Sequence, residues 1–136
     1  MFINVTMTAR KVPSFKNKKN NLLNKRSYRN NMINNYPLIF DEVMIKQLKK
    51  VAKNQSVKEI LIKMLDKIEE RGPDAGELLD SRLFIYEVKN KHPPIRLYFK
   101  HNVNSNEIYI FEFEMKTSKK KQQKTIEKIR KKVLES

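Results

Sequence analysis

From Tyr36 onward the spacing of apolar residues passes from helical to alternating and back to helical. Ile60, Leu61, Met64, Leu65 and Ile68 recur at i, i+1, i+4, i+5 and i+8, the stripe of a helix with one buried face. Ser56-Val-Lys-Glu59 ahead of them has the form of a capping box, and Gly72-Pro73 stops the pattern. A shorter helix is predicted from a cap at Asp41 to about Lys53, with Val43, Leu48, Val51 and Ala52 turned inward. Tyr36-Pro-Leu-Ile-Phe40 reads as a short strand, because Pro37 lies near its start, where a missing donor is tolerated.

A connector from Asp74 to Ser81 leads to three alternating runs: Leu83–Lys89, Ile95–His101 and Glu107–Lys116. Strand side chains change face at every residue. One parity is apolar: Phe84, Tyr86 and Val88; Ile95, Leu97 and Phe99; Tyr109, Phe111, Phe113 and Met115. The other carries Glu87 and Lys89; Arg96, Tyr98 and Lys100; Glu112, Glu114 and Lys116. His92-Pro93-Pro94 and Asn102–Asn106 are the predicted hairpin turns. Thr117 or Ser118 would cap a last helix with a thin stripe of Ile126, Ile129 and Val133, giving the order βααβββα.

Charge changes the picture of this sheet. Thirty Lys and Arg against fifteen Asp and Glu give a formal +15 over 136 residues. Residues 1–35 hold eight basic and no acidic residues, against 22 and 15 in the remainder. Such a balance favours polyanions, although an AT-rich coding sequence, which the many asparagines also fit, writes lysine freely. Residues 1–35 lack any sustained hydrophobic period and read as a basic extension that cannot offset its own ordering entropy; an arm gripping phosphates is the alternative. Residues 36–136 form the expected domain. No apolar run approaches the roughly 20 residues of a membrane span, and no export signal is evident. The absence of cysteine excludes disulfides and thiolate chemistry and suits the cytoplasm.

Little conventional catalytic apparatus is visible. His92 and His101 are nine residues apart with no accompanying carboxylate cluster, so no metal is expected. Two glycines, Gly72 and Gly76, cannot build a phosphate loop, and no small-molecule cofactor is expected. A cationic constellation remains: Lys89, Arg96, Lys100 and Lys116, beside Lys119, Lys120, Lys121 and Lys124.

Tyr86-Glu-Val-Lys89, Ile95-Arg-Leu-Tyr-Phe99, Ile108-Tyr-Ile-Phe-Glu-Phe113, Lys116 and the basic helix after it resemble the RelE/ParE superfamily of type II toxins. Within it the HigB and phage-related branch is most similar, with strands of the form R-V-L-Y-F and I-V-L-L-H-x-F. The resemblance runs from about Tyr36 to Val133. It implies a small α+β domain, with a mostly antiparallel sheet packed on two N-terminal helices and a basic C-terminal helix. For RelE-type members it also implies mRNA cleavage in the ribosomal A site, by attack of a ribose 2′-OH on the adjacent phosphodiester. Carried over by position, Arg96 becomes the phosphate clamp, Lys89 a base or charge stabiliser, and Lys116 a stabiliser of the transition state or leaving group. All three fall on the polar parity of their strands, which the resemblance was not needed to see.

Departures from the family pattern accompany the match. Glu87 stands where some members have a second lysine, Lys121-Gln-Gln123 holds no stacking aromatic, and the chain ends Leu-Glu-Ser136 without histidine. Glu77 sits where certain members place a basic carboxylate; an exposed loop residue is the plainer reading. Tyr98 could stack on RNA, as could Tyr109 were its parity not that of the core. Lys100, Lys119, Lys120, Lys121 and Lys124 are candidate RNA contacts, whereas an ion pair with Glu112 or Glu114 is the bland role for Arg96. The resemblance implies a cognate antitoxin, mRNA and ribosomal RNA as partners, with no membrane. Nine basic residues from Lys116 to Lys132, against the single acid Glu127, would suit either the antitoxin or rRNA. A gyrase-binding ParE-type inhibitor and an inactive RNA-binding relic are the alternatives.

Overall fold

The structure is a computed structural model that describes residues 35–115 and 118–136. The expected extension, apart from Asn35, lies outside the described residues, as do Lys116 and Thr117.

β1 (Leu38–Phe40) runs into α1 (Glu42–Val51) through Asp41. The Asp41 carboxylate accepts from the Val43 N–H at 3.0 Å, satisfying a donor that the first turn leaves without a partner. Met44, Ile45 and Leu48 form the buried arc of α1; the expected Val43, Val51 and Ala52 flank it, half-buried. α2 (Gln55–Arg71) is capped by Asn54 rather than by Ser56. Asn54 Oδ1 accepts from the Val57 N–H at 3.3 Å, so the expected capping box falls inside the first turn, where Gln55 donates to Glu59 at 2.9 Å. Leu61, Met64, Leu65 and Ile68 are buried as expected, joined by Val57 and Ile62, while Ile60 sits at the core margin. Gly72 ends the helix at φ +60°, with its α-carbon so near the Tyr36 ring that a Cβ would lie 2.4 Å from it.

The segment read as a connector contains a further strand. After a single 3-10 turn (Gly72–Ala75), β2 (Glu77–Asp80) pairs antiparallel with β3 (Ile85–Asn90), so the order is βααββββα. Glu-Leu-Leu-Asp is too short and too irregular in polarity to announce a strand. β4 (Ile95–His101) and β5 (Ile108–Met115) continue the antiparallel pairing, and β1 adds to β5 in parallel. The sheet order is β1-β5-β4-β3-β2. α3 (Lys119–Glu135) starts at Ser118, whose hydroxyl accepts from the Lys121 N–H at 3.2 Å. The α+β class and the mostly antiparallel sheet are as expected. No helix among the described residues is long and apolar enough to cross a membrane.

Helices cover both faces of the sheet. α1 and α2 pack on Val88, Ile95, Leu97, Phe99, Ile108, Ile110 and Phe113. On the opposite face, Ile126 and Ile129 of α3 meet Ile85, Tyr98 and Phe111. The predicted parity fails at two places: Phe84, expected on the apolar face, lies before β3 at φ +56° and is 40% exposed, and β5 bulges, where Tyr98 pairs with Glu112 but Phe99 with Ile110, leaving Phe111 extra. Tyr109 and Phe111, expected on the apolar face, therefore lie on the α3 face, and Ile108 and Ile110 replace them.

Candidate functional site

Register arranges the α3 face in cross-strand rows. Lys89, Arg96 and Glu114 form the first, Glu87, Tyr98 and Glu112 the second, and Ile85, Lys100 and Tyr109 the third. The face is thus not purely cationic, because each of the first two rows carries buried carboxylate.

Arg96 is the centre of the first row. Its Nη1 lies 3.2 Å from both carboxylate oxygens of Glu87, a diagonal pair across β3 and β4. The expected partners Glu112 and Glu114 are not the ones it takes. Lys89 Nζ stands 3.8 Å from Glu87 Oε1 and 3.7 Å from Glu77 Oε1. From the first turns of α3, Gln122 Nε2 donates to Glu87 Oε2 at 3.2 Å. Glu87 is only 3% exposed, and such burial is tolerated because amide, amine and guanidinium donors meet it on several sides. The Arg96 and Lys89 side chains, in contrast, remain 30% and 43% exposed, so their cationic heads reach solvent beside the carboxylate they share.

These heads face a cavity of about 740 Å³ at the hairpin end of the sheet. It exists because β2 begins opposite Glu87 and leaves the outer edge of β3 beyond that point without a strand partner among the described residues. Gly76 permits the approach: a Cβ there would lie 2.3 Å from the Glu87 carbonyl oxygen. Glu77 is the first residue of β2, not a loop residue, and its side chain is 69% exposed at the cavity rim.

Beneath the second row the environment is different. Glu112 accepts from Lys128 Nζ at 3.0 Å through Oε1. Among the described residues, the Glu114 oxygens and the Tyr98 hydroxyl are buried without a hydrogen bond of ordinary geometry. Burial first, and then the neighbouring Glu114 carboxylate, hold the Tyr98 phenol well above its usual range. Tyr98 is 0% exposed, so its expected role in stacking on RNA does not fit this arrangement. Tyr109 is half-buried, donates to Asp41 Oδ1 at 2.7 Å, and is likewise raised by burial and that bond.

Lys100 lies four residues along β4 from Arg96, about 13 Å at strand rise. Its Nζ donates to the Leu83 carbonyl at 3.1 Å and stands 5.8 Å from the Phe84 ring centroid, while desolvation lowers its pKa. It therefore belongs to the β2–β3 turn rather than to the Arg96 cluster. Lys119, Lys120, Lys121 and Lys124 are exposed on the first turns of α3. Lys116 lies outside the described residues.

Sequence reasoning placed Arg96 and Lys89 together but missed Glu87 and Gln122 as members of their site. The signal for Glu87 was its polar parity with Arg96; for Gln122, on a different element, none existed. No group of three or more His, Asp or Glu among the described residues is arranged to hold a metal ion, so the side chains at hand are amines, a guanidinium and carboxylates.

No protein-family model matches the chain, and no curated protein does so. Solved structures do. The intact E. coli RelBE toxin–antitoxin complex contains a chain 23% identical, matched over 61% of this chain and 99% of its own at a TM-score of 0.51. An arginine double mutant of the E. coli RelE toxin in the free state is 21% identical over 70% of this chain and 98% of its own, at 0.55. A RelBE toxin–antitoxin complex from Mycobacterium tuberculosis reaches 0.51 at 12% identity, over 64% and 97% of the two chains. The fold is that of the RelE toxins.

Proposed function

We propose that this chain, built on a RelE-like fold, is the toxin of a type II toxin–antitoxin pair and acts as a ribosome-dependent mRNA endoribonuclease that inhibits translation in the cytoplasm. One observation carries the reading: Arg96 and Lys89 stand side by side on adjacent strands, with solvent-reaching heads at the mouth of a cavity large enough for nucleotide. The similar structures, which are those of RelE toxins or RelBE toxin–antitoxin complexes, support it.

In the reaction the 2′-oxygen of a ribose bonds to the neighbouring phosphorus and the bond to the 5′-oxygen breaks. The products are a 2′,3′-cyclic phosphate and a 5′-hydroxyl. A proton must leave the 2′-OH and another must reach the departing oxygen, while the phosphorane holds extra negative charge. Arg96 presents paired donors in a planar fork, which suits the non-bridging oxygens. Lys89 is the base or charge stabiliser beside it. Lys116 is assigned the leaving-group side by resemblance, and Glu77 at the rim is an auxiliary carboxylate. Glu87 already engages that guanidinium and competes with the phosphate for it. The antitoxin and ribosomal RNA are assigned to the basic α3 surface, Lys119, Lys120, Lys121 and Lys124 included.

Inducing the chain in cells beside an Arg96→Ala variant, and mapping mRNA 5′ ends, tests this. In-frame cleavage by the parent, reduced about 10²–10³-fold in the variant, is expected. The engagement of Arg96 by Glu87 favours a second reading, a gyrase-binding inhibitor of the ParE type. Growth arrest with intact mRNA and defective supercoiling would establish that reading instead, and the absence of any phenotype would mark an inactive relic.

A further inference from the structure

We infer that the cavity continuing from Arg96 around the open edge of β3 is a groove for the phosphodiester backbone of single-stranded RNA, gripped by Lys67 and Lys91. This rests on the reading of Arg96 as phosphate clamp and adds the path of the strand beyond it. At about 740 Å³ the cavity is the size of a whole small-molecule site, far more than one phosphate requires.

Its lining is built from elements distant in sequence. Lys67 comes from the last turns of α2, Lys91 from the β3–β4 turn, and Lys89 and Arg96 from the strands. Four cations thus meet two carboxylates, Glu77 and Glu87. Both carboxylates are engaged by Lys89 or Arg96. Among the described residues Lys67 and Lys91 form no ion pair, and both are exposed. Surface lysines are usually solvated singly, but here two lysines without an ion pair among the described residues, from α2 and the β3–β4 turn, line one concavity.

The floor of the groove adds hydrogen-bonding capacity. Past Glu87 the outer edge of β3 pairs with no strand among the described residues, and alternate residues of an edge strand turn amide and carbonyl outward, where phosphate and 2′-OH groups can use them. A concave site suits one flexible strand better than a rigid duplex, whose phosphates lie on its outside. His92 is the one aromatic ring in the lining and is exposed, so it provides the platform for a base that buried Tyr98 does not.

A tagged 2′-O-methylated oligouridylate, which lacks the attacking hydroxyl, reads binding apart from cleavage. Its anisotropy titrations over a range of salt should be compared for the full chain, for Lys67→Gln with Lys91→Gln, and for Lys46→Gln with Lys50→Gln. Glutamine keeps most of each aliphatic stem and removes the charge. The last pair lies exposed on α1, outside the groove, and controls for net charge. The groove pair should flatten the slope of log affinity against log salt by about 1.4, or 0.7 for each phosphate left unneutralised, with the control pair near the parent. Equal changes in both pairs, no change in the groove pair, or no binding by the parent would overturn the groove. Arg96-dependent cleavage with an unchanged slope would leave the nuclease reading standing and remove this one. A flattened slope in the groove pair, with no cleavage by the parent, would do the reverse.

Discussion

The two faces of this sheet are both covered by helix, yet they are held in different ways. On the α1–α2 face the contact is almost wholly apolar, from Met44 and Leu65 to Leu97 and Phe99. On the α3 face a small island of Ile85, Tyr98, Phe111, Ile126 and Ile129 is ringed by polar links. Lys128 reaches Glu112 at 3.0 Å, Arg130 reaches Asp80 at 2.8 Å, Lys132 reaches Asp41 at 2.9 Å, and Gln122 reaches Glu87 at 3.2 Å. Apolar burial contributes roughly 25 cal/mol per Å², whereas partly exposed ion pairs contribute about 0–1 kcal/mol each. The first face therefore carries the stability of the domain. The second keeps polar groups within reach of solvent at the cost of a weaker hold, as the anion-binding role proposed for it would require.

Matched truncations should separate the faces most clearly. Leu65 and Ile129 are each 0% exposed, one in each core. Leu65→Ala is expected to cost about 2–5 kcal/mol of global stability, through forfeited transfer energy and a residual cavity. Ile129→Ala removes similar chemistry, but its cost is capped by the free energy that docks α3. Denaturant titration should give the smaller global loss for Ile129→Ala, and hydrogen exchange should show α3 amides losing protection before those of α2. Equal global losses would mean that the α3 face is as structural as the other.

At the edge of the weaker face, Glu87 sharpens the comparison. Its carboxylate occupies the Arg96 guanidinium that a phosphate would use, so Glu87→Gln should tighten RNA binding about three- to tenfold, ~0.7–1.4 kcal/mol. The gain is set below the value for a closed ion pair because Arg96 is part-exposed to solvent. Weaker binding in this variant would instead make Glu87 a partner that positions Arg96 for the substrate.

The difference between the faces also explains what could be read in advance. The α2 stripe and the alternation of β3 and β4 were legible because each residue's environment there follows from local periodicity. The facing of Arg96 and Lys89 followed from the same rule. β2 was not legible: four residues, Glu77–Asp80, pair with β3 through a hairpin that only tertiary context creates. Nor was the bulge at Phe111, since one inserted residue exchanges the faces of Ile110 and Phe111 without altering composition. The burial of Tyr98 depends on α3 folding back across the sheet, and the polar parity of a strand says nothing about what later covers it.

The smallest expected effect tests whether the ion pairs of α3 contribute at all. Asp80 has its carboxyl held below the ordinary 3.8, first by the Leu83 N–H at 3.0 Å and then by Arg130 and the Arg82 N–H. The folded chain thus resists protonating Asp80 more than the unfolded chain does. The stabilisation is complete well above 3.8 and is lost as pH falls through the lowered native value. Melting midpoints followed from about pH 5 to pH 2 should fall less steeply for Asp80→Asn than for the parent. Because the turn amide outweighs the guanidinium, Arg130→Gln should keep most of the parent's acid dependence. If Arg130→Gln flattened the curve as much as Asp80→Asn, the clasp to α3 rather than the β2–β3 turn would be what Asp80 supports, and the polar ring would hold its helix more strongly than its exposure implies.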